Sequence, residues 1–167
     1  MSQPQIQEKT QLQQLSEFLL ASLSPIVKKG DLDAWQEGGT VMRHGDDLGH
    51  GYRVAKWKYK ASIAIERFPH TKINPYNLLG LIAAYFIDNA QERDDYQLGD
   101  PELTIDPISQ DNTTIIIDVE LMDNIDLLPD SNGPILFDGQ RYRVSLVPVN
   151  VATDMSLFVH VKDELDV

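Results

Sequence analysis

Between Gln11 and Val27 the apolar residues Leu12, Leu15, Leu19, Leu23 and Ile26 recur every three or four positions, and Phe18 and Leu20 widen the stripe. That period predicts an amphipathic helix with one face to bury. Pro25 falls in its last turn. Lys28-Lys29-Gly30 then reads as the stop, with cations at the negative end of the helix dipole followed by a residue tolerant of positive φ. From Arg53 to Arg67 the period changes to two. Ala55, Trp57, Tyr59, Ala61, Ile63 and Ile65 alternate with Lys56, Lys58, Lys60, Ser62 and Glu66, which predicts a long strand with one core face. Phe68-Pro69 closes it. Asn74-Pro75 supplies an N-cap and a first-turn proline for a second helix running to about Asn89, with Leu78, Leu79, Leu81, Ile82, Tyr85 and Phe86 as its apolar side.

The remaining pattern is β. Leu103–Ile105 is a short candidate. Thr113–Met122 sets Ile115, Ile117, Val119 and Leu121 against Asp118 and Glu120. Ile135–Phe137 and Tyr142–Val147 flank Asp138-Gly139, a hairpin signal. Pro129 to Pro134 is a loop, and Leu157, Val159 and Val161 suggest a last strand. Gly38 to Gly51 reads as a loop because it holds Gly38, Gly39, Gly45, Gly49 and Gly51 beside Asp46 and Asp47, with a short strand at Thr40–Met42. Residues 1–10 are polar and glutamine-rich and read as a flexible tail, leaving 11–167 as one domain. The expected architecture is α+β, with two main amphipathic helices packed on a mostly antiparallel β-sheet.

Composition narrows the function classes. With 42% hydrophobic and 24% charged residues over 167 positions, the chain has the makeup of a folded domain rather than a disordered one. It contains no cysteine, which removes disulfides, thiolate zinc sites and cysteine nucleophiles. The first residues have neither a basic nor an apolar segment of the secretory kind. The longest apolar stretch, Leu78 to Ile87, is half of the roughly 20 residues a membrane span needs. A net charge of −12 argues against sequence-specific DNA binding, which needs clustered Lys and Arg on the phosphates.

Some residues invite chemistry. Arg43-His44-Gly45 matches the triplet that in histidine phosphatases closes the first core strand, His44 then being the nucleophile and Arg43 a phosphate clamp. Against it stand a short, glycine-interrupted apolar run before the triplet, and Asp46 and Asp47, which would repel a phosphate. His44 and His50 with Asp46 and Asp47 are ligand types for a divalent ion, but a glycine-rich loop does not aim them. His70 and His160 are isolated. Asp94-Asp95 and Asp123 to Asp126 read as solvated turns without the calcium-loop pattern. Lys56, Lys58 and Lys60 share one strand face. They are either the lysines of a protected edge strand or a docking stripe for the acidic surface of a neighbouring subunit.

The order of these elements resembles a known family. A leading amphipathic helix, a glycine-containing loop and the strand Ala55-Lys56-Trp57-Lys58-Tyr59-Lys60-Ala61 are followed by the apolar helix Pro75 to Asp88. Together with Asp118-Val119-Glu120-Leu121-Met122, this is similar to the tail-completion protein R family of temperate, peduovirus-like phages, over about residues 12 to 150. The resemblance implies a tail-terminator-like structural role without catalysis or cofactor. The chain would cap the tail tube and sheath and help head-tail joining, with the head-tail connector as a further neighbour and a homo-hexameric ring as the working form. It also implies assembly in the host bacterial cytoplasm and residence in the virion tail. Arg43, His44, Asp46, Asp47 and His50 would then belong to a flexible assembly loop. The alternative is the small phosphohydrolase built on Arg43-His44-Gly45.

Overall fold

A computed structural model describes residues 8–90 and 92–146. Its elements follow the order α1 (Gln11–Leu23), β1 (Leu32–Asp47), β2 (Tyr52–Phe68), α2 (Pro75–Asp88), β3 (Glu102–Pro107), β4 (Thr113–Pro129), β5 (Ile135–Phe137) and β6 (Gln140–Val144). The strands form one antiparallel sheet in the order β1-β2-β4-β6-β5, with β3 also pairing β4. This is the expected α+β class. The expected strand at Leu157 to Val161, His160 and most of the N-terminal tail lie outside the described residues.

Both helices pack on one face of the sheet. Leu12, Leu15, Leu19 and Leu23 of α1 and Leu78, Ile82 and Tyr85 of α2 cover Tyr59, Ala61, Ile63 and Ile65 of β2 and Ile115, Ile117, Val119 and Leu121 of β4. The helices touch each other through Phe18 and Tyr85, whose ring centroids are 4.9 Å apart. Asn74 caps α2 as expected, its side chain accepting from the Tyr76 N–H at 3.0 Å. Helix α1 stops at Leu23, four residues before the expected end. Ser24 precedes a proline and is pushed to extended geometry, with ψ 146.

The glycine-rich region is the principal correction. Gly38 to Gly51 is not a loop. Most of it belongs to β1, which pairs with β2 from Leu32↔Ile65 to Asp47↔Tyr52. Two irregularities, between Gln36 and Gly38 and between Arg43 and Asp46, each insert one extra residue into β1. The first reverses which parity faces the core. Leu32 and Ala34 point inward before it, whereas Gly39 and Val41 stand opposite Tyr59 and Trp57 after it. A period-two reading cannot survive such a reset. Gly38 takes up the distortion at φ +130, and Gly39 lies too close to the β2 backbone for any side chain. Only residues 48–51 turn, closed by the Leu48 N–H donating to the Gly51 carbonyl at 2.8 Å.

Strand β4 also runs seven residues beyond the expected Met122, so Asp123 to Asp126 are strand residues rather than a turn. The β5–β6 hairpin agrees with its sequence signal. Asp138 at φ 49 and Gly139 at φ 76 both adopt the left-handed geometry that a two-residue hairpin turn requires. No helix among the described residues is long and apolar enough to cross a membrane.

Candidate functional site

The lysine face differs from both readings of the sequence. Strand β2 lies between β1 and β4, so Lys56, Lys58 and Lys60 do not guard an edge. They stand opposite Asn124, Met122 and Glu120 of β4. Lys56 is 3% exposed; its ammonium sits 2.8 Å from Glu92 Oε2 and 3.0 Å from Asn124 Oδ1, with the Tyr96 ring centroid 5.3 Å away. Lys58 donates to the Tyr96 carbonyl at 3.3 Å and lies 3.8 Å from the Glu120 carboxylate. The acidic stretch after α2 therefore folds back over the stripe as a strap. Arg93 fixes it by stacking 4.4 Å over the Phe86 ring and donating at 2.7 Å to the Glu120 and Gly99 carbonyls. Much of the docking that the stripe suggested is met within the chain, leaving Lys60 exposed.

Beside the strap, residues 119–126 of β4 have no strand on their outer edge among the described residues. Strand β3 pairs with residues 113–118 and β6 with 127–129, and between them lies a cleft of about 830 Å³ lined by Gln11, Arg53, Glu92, Arg93, Asp123 and Asp126 among others. Asp123 is 4% exposed and its Oδ1 accepts the Gln11 N–H at 2.8 Å. It is thus a second cap on α1, whose own N-cap Thr10 accepts from the Gln13 N–H at 3.0 Å. The Tyr59 hydroxyl lies against the same carboxylate and accepts the Leu12 N–H at 3.3 Å. Asp123 Oδ2 is buried without a hydrogen-bond partner among the described residues. Burial pushes the Asp123 carboxyl above the usual range, opposed in part by the Gln11 N–H and the Tyr59 hydroxyl. Burial, followed by the Asp123 charge, pushes the Tyr59 phenol well up.

Because the Asp123 value is higher in the folded chain than in the unfolded one, its contribution to stability is fully present below the unfolded value of about 3.9. It is lost as pH rises through the raised folded value. Asp123→Asn is therefore expected to melt at or above the wild-type temperature at pH 7 and to lose this group's share of any gain on acidification. Asp123→Ala removes the carboxylate that accepts the Gln11 N–H at the start of α1 and is expected to cost about 1–3 kcal/mol. Thermal unfolding at pH 7 and pH 5 checks both, and an Asn variant less stable than the Ala variant would contradict the assignment.

Asp126 is 5% exposed, and its carboxylate takes both Arg53 Nε at 2.8 Å and a terminal guanidinium nitrogen at 3.1 Å. This fork raises the Arg53 pKa against the opposing effect of burial. The solvated-turn reading of Asp123 to Asp126 is thus overturned, because both carboxylates are buried parts of β4 with assigned donors. Asp123 continues the Val119, Leu121 alternation, and that is the signal that would have found it; Asp126 falls out of that phase, at the register shift opposite Arg53 and Ala55.

Arg43-His44-Gly45 lies on the solvent-facing part of β1, an antiparallel strand that pairs only with β2 among the described residues. Arg43 stands opposite Ala55, and His44 and Gly45 fall in the irregularity before Asp46↔Arg53. A phosphatase would carry this triplet at the end of a buried core strand. Asp46 and Asp47 belong to β1, whereas His50 lies in the turn, so the candidate metal ligands are dispersed over two elements. No group of three or more His, Asp or Glu side chains among the described residues could hold a metal ion. His70 braces a loop, its ring nitrogens 2.7 Å from the Gln110 carbonyl and from Thr113 Oγ1.

Comparison with known proteins adds a family. The sequence model of P2 phage tail completion protein R (GpR) matches residues 9–146. The chain is also 26% identical over 153 residues to an uncharacterised 19.2 kDa protein of the rep–hol intergenic region of Haemophilus phage HP1 (strain HP1c1), covering 91% of this chain and 92% of that one. No solved structure matches.

Proposed function

This chain belongs to the P2 phage tail completion protein R family, and from that premise we propose that it completes phage tails as a structural protein, without catalysis. The observation that carries the reading is the extent of the family match, which spans both helices and every strand from α1 to β6. The chain caps the tail tube and sheath, helps present the tail to the head-tail connector, and works as a homo-hexameric ring. It assembles in the host bacterial cytoplasm and stays in the virion tail. Two features support a ring. Strand β1 pairs on one side only among the described residues, and such an edge accepts a neighbour's backbone head to tail. Exposed Lys60 and Arg43 place positive charges near that surface for pairing with an acidic neighbour. The −12 net charge suits a lumen through which duplex slides rather than sticks, although salt confines that repulsion to roughly 8 Å.

Electron microscopy of an induced lysate from a strain lacking this gene tests the role. Unjoined heads beside overlong or open-ended tails are the expected result, restored to whole particles by the gene in trans. Normal infectious particles without it would overturn the reading.

A further inference from the structure

Helix α2 buries Leu78, Ile82 and Tyr85 and turns to solvent a side with no charge before Asp88, made of Tyr76, Leu79, Gly80, Ala83, Ala84 and Ile87 beside Asn77. Tyr76, Gly80, Ala83 and Ile87 recur at intervals of four, three and four along the exposed side, the spacing of a helix-pairing seam. Tyr76 is 77% exposed and Ile87 76%. No charged residue occurs between Pro75 and Ile87, in a chain that is 24% charged. A Cβ added at Gly80 would meet nothing within 4 Å, so the middle of the seam is open as well as small.

We propose that two copies of this chain pair through α2 in antiparallel fashion about a two-fold axis. The seam is its own complement when reversed. With the axis between Leu81 and Ile82, Tyr76 meets Ile87 of the second copy and Gly80 meets its Ala83, so large residues clasp the ends while small ones let the helices approach at the centre. The charges reverse correctly too. Exposed Asp88, the last residue of α2, arrives at the start of the second α2, beside its Pro75 and exposed Lys72. An anion is stabilised at that positive end of a helix, and a lysine stands next to it. A parallel pairing would instead set Asp88 against Asp88. This reversal symmetry in size and in charge singles out a second copy, since a foreign surface would have no use for it. A two-fold contact cannot propagate into a ring, so the pair is a form of the chain off the tail that covers its apolar helix. It stands apart from the tail-end reading: the deletion phenotype does not depend on it, and the test below uses purified full-length protein.

The chain has no cysteine, so introduced ones report contacts directly. Tyr76→Cys and Ile87→Cys, mixed and oxidised, are expected to give a disulfide-linked dimer in much higher yield than either alone. Ala83→Glu, at an exposed position, is expected to keep the wild-type circular dichroism spectrum. It should weaken dimerisation in sedimentation equilibrium by at least about 100-fold, because each copy would bury a charge in the seam. Self-linking of Tyr76→Cys as efficient as the mixture would mean parallel pairing and overturn the proposal. So would a mixture that does not link, or an Ala83→Glu protein with the wild-type association constant.

Discussion

Gly39→Ala is expected to destabilise the fold by about 4 kcal/mol or more, a cost in the range reserved for a named structural failure. An alanine Cβ at this position would run into the carbonyl oxygen of Lys58, and would stand 2.6 Å from the Tyr59 Cα and 2.8 Å from the Lys58 carbonyl carbon. Those neighbours are backbone, so no rotamer change relieves them. The strands must separate, and the segment of β2 that would shift carries buried Tyr59 and the anchored Lys56. Gly30→Ala is the control. It has nothing within 4 Å and no positive φ, and its effect is expected to stay within about 0.5 kcal/mol. Urea unfolding of both variants decides the matter. A Gly39→Ala protein with the wild-type midpoint would mean that β1 does not pair with β2 as described.

Asp126→Ala is expected to cost about 3 kcal/mol, since removing one partner of a buried ion pair strands the other charge. Arg53 cannot escape by losing its proton, because arginine stays charged throughout the usable pH range. Its side chain is 25% exposed, which leaves it some water and keeps the cost below that of a fully buried charge. Asp126→Asn keeps one acceptor and should fall between. The double change Arg53→Met with Asp126→Leu removes both charges and is expected to recover to within about 1 kcal/mol of wild type. A double-mutant cycle by chemical denaturation reads the coupling. Additive single effects would show that the fork seen between the two side chains contributes nothing.

The elements that could be read from the chain were those whose signal is local. Asn74-Pro75 starts α2 through its own side chain and ring, and Asp138-Gly139 turns the hairpin through backbone freedom. The alternation from Arg53 to Ile65 predicted β2 because that strand has its core on one side for most of its length. Where the reading failed, a distant partner had decided. Asp123 looked like a turn residue because aspartate is costly to bury. It is held in β4 by the first turn of α1, 112 residues away in sequence. Lys56 looked like a free surface charge until the strap from α2 brought Glu92 over it.

Sequence alone thus determined the class of the fold, the two helix faces, the succession of strands from β2 to β6 and the resemblance to a tail-completion family. Periodicity, caps and turn residues act within a few neighbours, and they survive without knowledge of the rest of the molecule. Tertiary structure alone decided that the glycines of β1 mark a bulged strand lying close against β2. It also decided that the lysine stripe is largely satisfied by the chain's own strap, and that the outer side of α2 is left uncovered by the described residues. Each of those outcomes depends on which backbone or charge arrives from far along the chain. Local sequence sets what a residue prefers, but the energy of a buried charge or of a missing Cβ is set by what packs against it.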